Sequence, residues 1–178
     1  MIIGIDISQT AYQNTGVANY LTNLVVNLLE KDSVNKYILF FSSFRGKPSQ
    51  KIIDAVEKNP SAVIKKFKFP PQILDTLWNK LHAMPIENLI GNVDILLTSD
   101  WTEPPAKKAK KGTIIYDLVV YKYPEETDKK IIETQKRKLS WVKKESQFVI
   151  CISDSTKNDT KELLGINPEK ISVIYPGF

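Results

Sequence analysis

Short apolar runs alternate with amphipathic stretches from one end of the chain to the other. The runs at 2–7, 37–41, 62–67, 93–97, 113–116, 148–152 and 171–174 have the length of β-strands. Most of them barely alternate between apolar and polar residues, as expected of strands covered on both faces. The run at 62–67 is the weakest, because Lys65 and Lys66 interrupt it.

Helical patterns fill the gaps. Residues 17–30 place Tyr20, Leu21, Leu24, Val25, Leu28 and Leu29 on one face. Residues 49–58 do the same with Ile52, Ile53 and Val56. A stretch at 72–81 follows the Pro70-Pro71 break, and Pro85 opens a short helix at 86–90. Residues 125–144 read as one long helix, acidic at its start and basic at its end, the polarity that the helix dipole favours. The last helix is predicted to begin after Ser153 or Asp154, to run to Leu164 and to stop at Gly165.

Strands alternating with helices predict an α/β fold: a Rossmann-like, doubly wound, mostly parallel sheet of about seven strands with helices on both faces. A length of 178 residues corresponds to about one such unit, so a single domain over 1–178 is expected. The run Lys107-Lys108-Ala109-Lys110-Lys111 reads as a short basic loop within it.

Composition narrows the chemistry. With 42% hydrophobic and 25% charged residues the chain is an ordinary globular one, which excludes disorder. The net charge of +5 is mild, and Arg45 and Arg137 are the sole arginines, so nucleic acid is not an expected partner. No apolar run approaches the roughly 20 residues that span a bilayer, and the first residues enter a strand pattern directly, without the marks of a signal peptide. A cytoplasmic setting is expected. Peripheral contact at the inner membrane face is a second option, because the stretch 125–144 carries Lys129, Lys130, Lys136, Arg137, Lys138, Lys143 and Lys144. The lone His82 and the lone Cys151 cannot supply a Ser-His-Asp triad, a Cys-His dyad or a histidine-based metal site. No metal or cofactor is expected.

Doubly wound sheets bind ligands beyond the carboxyl ends of their strands. Four loops there hold the unusual residues. In the first, Thr15-Gly16 opens a helix whose free N–H groups suit a phosphate, although a turn and cap alone would explain the pair. In the second, Asp100 and Trp101 suit a sugar, the carboxylate for hydroxyls and the indole for a ring face. Trp101 could equally plug a gap beside Pro104-Pro105. In the third, Tyr116 and Asp117 end a buried strand, where a carboxylate needs a partner or a ligand. In the fourth, Ser153 is either a helix cap or a ligand contact. No residue is singled out as catalytic.

Taken in order, these stretches resemble the N-terminal domain of retaining glycosyltransferases of the GT-B fold, family 4. The resemblance is carried by Gly4-Ile5-Asp6 with Thr15-Gly16-Val17-Ala18-Asn19-Tyr20, by Val93-Asp94-Ile95 through Pro104-Pro105, and by Thr113-Ile114-Ile115-Tyr116-Asp117-Leu118 with Tyr123-Pro124-Glu125. Its most specific part is Ile150-Cys151-Ile152-Ser153-Asp154-Ser155-Thr156-Lys157, followed by Leu163-Leu164-Gly165-Ile166 and residues 168–177. It implies a retaining, hexosyltransferase-type enzyme, metal-free, with a nucleotide-sugar donor and a glycan or lipid-linked acceptor. Thr15 and Gly16 would face the donor diphosphate, and Asp100, Trp101, Tyr116, Asp117 and Ser153 would line the cleft on the acceptor side. Family members carry histidine where this chain has Tyr116, and a fuller glycine pair than Thr15-Gly16. The donor-binding domain is expected to be absent from these residues, so the chain alone is expected to show no transfer. The alternative is a non-catalytic α/β module that binds a nucleotide or a sugar.

Overall fold

A computed structural model of the chain describes residues 1–177. It contains the strands β1 (Ile2–Asp6), β2 (Lys36–Ser42), β3 (Ala62–Phe67), β4 (Ile95–Thr98), β5 (Lys110–Ile115), β6 (Phe148–Cys151) and β7 (Ile171–Val173). They form one seven-stranded sheet in the order β3-β2-β1-β4-β5-β6-β7, and every pairing is parallel. The chain thus winds outward from β1 to β3, returns to β4 beside β1, and winds outward the other way. The crevice of such a sheet opens where the order reverses, between β1 and β4.

The helices are α1 (Gly16–Lys31), α2 (Gln50–Lys58), α3 (Pro71–Leu74), α4 (Glu87–Ile90), α5 (Val119–Lys122), α6 (Lys129–Glu145) and α7 (Asp154–Leu164). They cover both faces because successive strand residues point to opposite sides. Leu39, Leu97 and Ile114 face one core with Leu21, Val25 and Leu29 of α1. Their neighbours Phe40 and Leu96 face another with Trp78, Ile86 and Ile90. Ile115 turns toward a third, shared with Leu139 and Val142 of α6 and Leu164 of α7. This two-sided burial is the reason the strands read as continuous apolar runs.

Several expectations need correction. The predicted helix at 125–144 is not continuous. Pro124–Glu126 is a separate 3-10 turn, and Asp128 caps α6 by accepting from the Lys130 amide at 2.8 Å. No acidic residue lies in the first turn of α6; the cap carboxylate takes that place. The predicted helix at 72–81 is α-helical in its first turn alone. Asp75–Lys80 widens into a π-helical turn, and the segment ends with His82 and Met84 at φ of 47° and 60°. Such angles are strained for side chains with a Cβ and persist where packing dictates them. The basic loop at 107–111 is also shorter than expected, because Lys110 and Lys111 begin β5 and Lys111 is buried. The final helix meets expectation, with Ser153 as its cap and Gly165 in the left-handed region at φ 64°.

Gly112 of β5 lies opposite Phe148 of β6, whose ring covers the glycine so closely that a Cβ could not be accommodated. Gly112→Ala should therefore cost about 1–3 kcal/mol through overpacking. Urea unfolding of G112A and of G112A/F148L checks this, with part of the loss recovered in the double variant.

Candidate functional site

Two cavities open along the carboxyl edge of the sheet, and the loops after the strands build both. The first, of about 650 Å³, lies between Ser8 and Gln9 after β1, Ser42 and Ser43 after β2, and Trp101 and Thr102 after β4. The segment 71–80 and α6 complete its lining, the latter through Lys130, Thr134 and Arg137. The second, of about 710 Å³, runs along α1 from Thr15 and Gly16 past Tyr116 and Asp117 to residues 174–177. Both have the size of small-molecule sites.

The residues singled out from the sequence divide between these places. Trp101 lines the first cavity, while Thr15, Gly16, Tyr116 and Asp117 line the second. Asp100 and Ser153 line neither. Asp100 accepts from Gln135 Nε2 at 3.2 Å, and burial pushes its carboxyl above the usual range against the pull of Lys138 and Gln135. The Ser153 hydroxyl is occupied as the cap of α7, accepting from the Thr156 amide at 3.1 Å.

Thr15 caps α1, accepting from the Ala18 amide at 3.2 Å and donating to the Tyr12 carbonyl at 3.0 Å. A Cβ at Gly16 would meet nothing within 4 Å, so internal packing does not require glycine there. Gly16 is exposed, and with the Ala18 and Asn19 amides taken by Thr15, the Gly16 and Val17 amides are the ones left at this helix start. Tyr116 is buried edge-on against Tyr20, with ring centroids 5.6 Å apart, and its hydroxyl lies 3.0 Å from Ser99 Oγ. Burial pushes the phenol above its ordinary value, so it serves as a neutral hydrogen-bonding group rather than as a base. Asp117 is exposed and accepts from the Val119 amide at 3.1 Å.

Beneath the first cavity lies a buried polar lattice that the sequence did not reveal. Asn79, 2% exposed, sits in the π-helical turn and ties three segments together. Its side-chain amide donates to the Trp101 carbonyl and to Asp75 Oδ1, each at 2.9 Å, and its Oδ1 accepts from the Glu103 amide at 3.0 Å. The Asn79 carbonyl accepts from Trp141 Nε1 of α6 at 2.9 Å.

Glu103 is wholly enclosed and accepts from the Thr98 hydroxyl at 2.7 Å. Its other oxygen faces Lys111 Nζ at 3.1 Å, an ion pair rather than an aligned hydrogen bond. Lys111 also donates to Glu145 Oε2 at 2.6 Å, and Glu145 Oε1 lies 2.8 Å from His82 Nε2. The His82 ring stacks on Trp141 at 3.6 Å. Burial raises Glu145, but Lys111 and His82 outweigh it and hold the carboxyl below the usual range. Lys138 of α6 is also enclosed and donates to Thr113 Oγ1 at 2.8 Å. Burial lowers its ammonium, while Glu103, Asp100 and Asp6 pull it back up. Glu103, Lys111 and Glu145 are thus paired, as buried charges require, while Lys138 is held by the Thr113 hydroxyl in the field of nearby carboxylates.

The geometry offers one cavity with a tryptophan among hydroxyl and amide groups, and one groove with an open helix start. Residues 14–178 match the profile of Glycosyltransferase Family 4. This chain belongs to that family. No curated protein matches it. Family membership and the all-parallel sheet agree with the fold expected from the sequence, one Rossmann-like half of a GT-B architecture. In this Glycosyltransferase Family 4 domain the cationic stripe read on the stretch 125–144 is interrupted. Lys138 points into the core, and Arg137 pairs with Asp75 at 3.1 Å. Among the described residues no helix is long and apolar enough to cross a membrane.

Two outcomes follow from the lattice. Asn79→Ala strands the Glu103 amide and the Trp101 carbonyl, so unfolding free energy should fall by about 2–4 kcal/mol in a urea titration. Asp6 lies at the end of β1, its carboxyl raised by burial against hydrogen bonds from Ser8 and Thr102. A carboxyl raised on folding lets the unfolded chain ionise first, so stability falls as pH rises from the ordinary aspartate range through the higher folded value. Asp6→Asn should accordingly stabilise the chain at pH 7 and lose that advantage near pH 3, as thermal unfolding at the two pH values would record.

Proposed function

We propose that this domain is the acceptor-binding half of a retaining glycosyltransferase that moves a hexose from a nucleotide-sugar to a glycan or lipid-linked acceptor. The observation that carries the reading is the cavity under Trp101. Trp101 lines it together with Ser8, Gln9, Thr102 and Thr134, a combination of an aromatic residue with hydrogen-bonding groups that suits sugars. The groove at Thr15 and Gly16 supports a donor diphosphate above the start of α1, where free amides and the helix dipole favour anions.

The first cavity is lined from the loops after β1, β2 and β4 and the second from α1 and the loop after β5, so in this reading acceptor and donor meet near the β1–β4 switch point. In this reading Tyr116 shapes the donor side as a neutral phenol, Asp117 faces the donor groove, and Asp100 stiffens the loop that carries Trp101 through its bond to Gln135. Ser153 contributes by starting α7. The residues that grip the nucleotide belong to a partner domain of the GT-B pair and lie outside this sheet.

The 178-residue chain should consequently bind simple glycosides weakly and turn over no sugar. Trp101→Ala should weaken methyl glucoside binding about tenfold, in line with an aromatic contact of roughly 1–1.5 kcal/mol. Ligand-observed NMR on the two proteins measures this. Tight binding of a free nucleotide with no glycoside binding would instead identify a nucleotide-binding module and overturn the reading.

A further inference from the structure

The charges around the Trp101 cavity are not evenly committed. Asp75 is spoken for, because Arg137 reaches its Oδ2 at 3.1 Å and Asn79 its Oδ1 at 2.9 Å. Glu133 stands 3.8 Å from Arg137 with 71% of its side chain in solvent, where it contributes little. Two cations remain: Lys80 at the end of the π-helical turn and Lys130 in the first turn of α6. Among the described residues neither ammonium is hydrogen-bonded or ion-paired within the chain. They reach the lining from two different segments, with Thr134 and Arg137 continuing the line of Lys130 along α6 at helical spacing.

We propose that the occupant of this cavity is an acidic glycoside, a sugar that carries a carboxylate or a phosphate. Its ring lies against Trp101 and its anion between Lys80 and Lys130. The inference rests on the acceptor reading of the same cavity and names the chemical class of that acceptor. A neutral sugar would use the indole and the hydroxyls but leave both ammoniums without partners. An anionic one completes them. The lattice beneath serves this arrangement, since Asn79 fixes the turn ending in Lys80 and the loop bearing Trp101 in one unit. Exposed ion pairs are worth about 0.2–1 kcal/mol each, so the two lysines together should give roughly tenfold preference for the acidic sugar.

The test compares methyl glucoside, methyl glucuronide and glucose 6-phosphate on the 178-residue chain by ligand-observed NMR at low ionic strength. Both acidic sugars should bind roughly tenfold more tightly than the glucoside. The advantage should vanish in the K80Q/K130Q variant, whose substitutions lie on exposed side chains, and in about 1 M salt, where the screening length shrinks to roughly 3 Å. A stronger response to glucuronide or to the phosphate assigns the anion to one of the two sources. Equal affinity for all three sugars, lost in W101A, would overturn this inference while leaving the acceptor reading intact. An acidic preference that survives K80Q/K130Q would overturn it as well. Failure of every sugar to bind would overturn both.

Discussion

The carboxamide of Asn79 holds the functional edge of this domain in one shape. Three short hydrogen bonds from one buried side chain join the π-helical turn, the backbone of the Trp101 loop and the approach to Pro104. The neighbouring carbonyl then receives the indole of Trp141 and so attaches α6. Loops after strands are usually the most mobile part of a doubly wound sheet. Here they are anchored from below, and the anchoring residues are polar because the segments they join present backbone groups that need partners.

The ionic part of the lattice extends the same logic. Glu103, Lys111 and Glu145 form a chain of matched charges from the second loop to the end of α6, His82 hydrogen-bonds to Glu145, and Lys138 reaches the chain through Thr113. Burying such groups costs several kcal/mol per ion unless the partners are placed well, so the arrangement contributes fixed geometry more than stability. The widened turn and the two left-handed residues after it are consequences. His82 can reach both the Trp78 carbonyl and Glu145 if the backbone leaves the helix abruptly, and its stacking on Trp141 holds the strained conformation in place.

The fold was legible in the sequence because each strand is buried twice over. Runs such as Tyr37-Ile38-Leu39-Phe40-Phe41 carry no competing helical period, and all seven were found within a few residues of their places. Boundaries failed where a single side chain outweighed propensity, as when Asp128 captured the start of α6. Half of the candidate site was legible as well. Gly16 before an amphipathic helix, and Trp101 after a buried strand, are local signals of a loop with a task. Asn79 and Lys138 gave no such signal, because a polar residue in a helical pattern ordinarily faces water, and their partners Trp101 and Thr113 lie 22 and 25 residues away. Lys111 and Lys138 were read as surface charge for that reason. Asp100 and Ser153 also have tasks within the chain, since Asp100 Oδ1 accepts from Gln135 and the Ser153 hydroxyl caps α7.

The division of the edge into an acceptor cavity under Trp101 and a donor groove at Gly16 is the claim on which the functional account stands. Amide NMR of the isotopically labelled chain, recorded with and without methyl glucoside, examines it directly. The account predicts shifts at Gln9, Trp101, Thr102 and Thr134, with Thr15, Gly16 and Asp117 unmoved. Shifts confined to Thr15, Gly16 and Asp117 would contradict it.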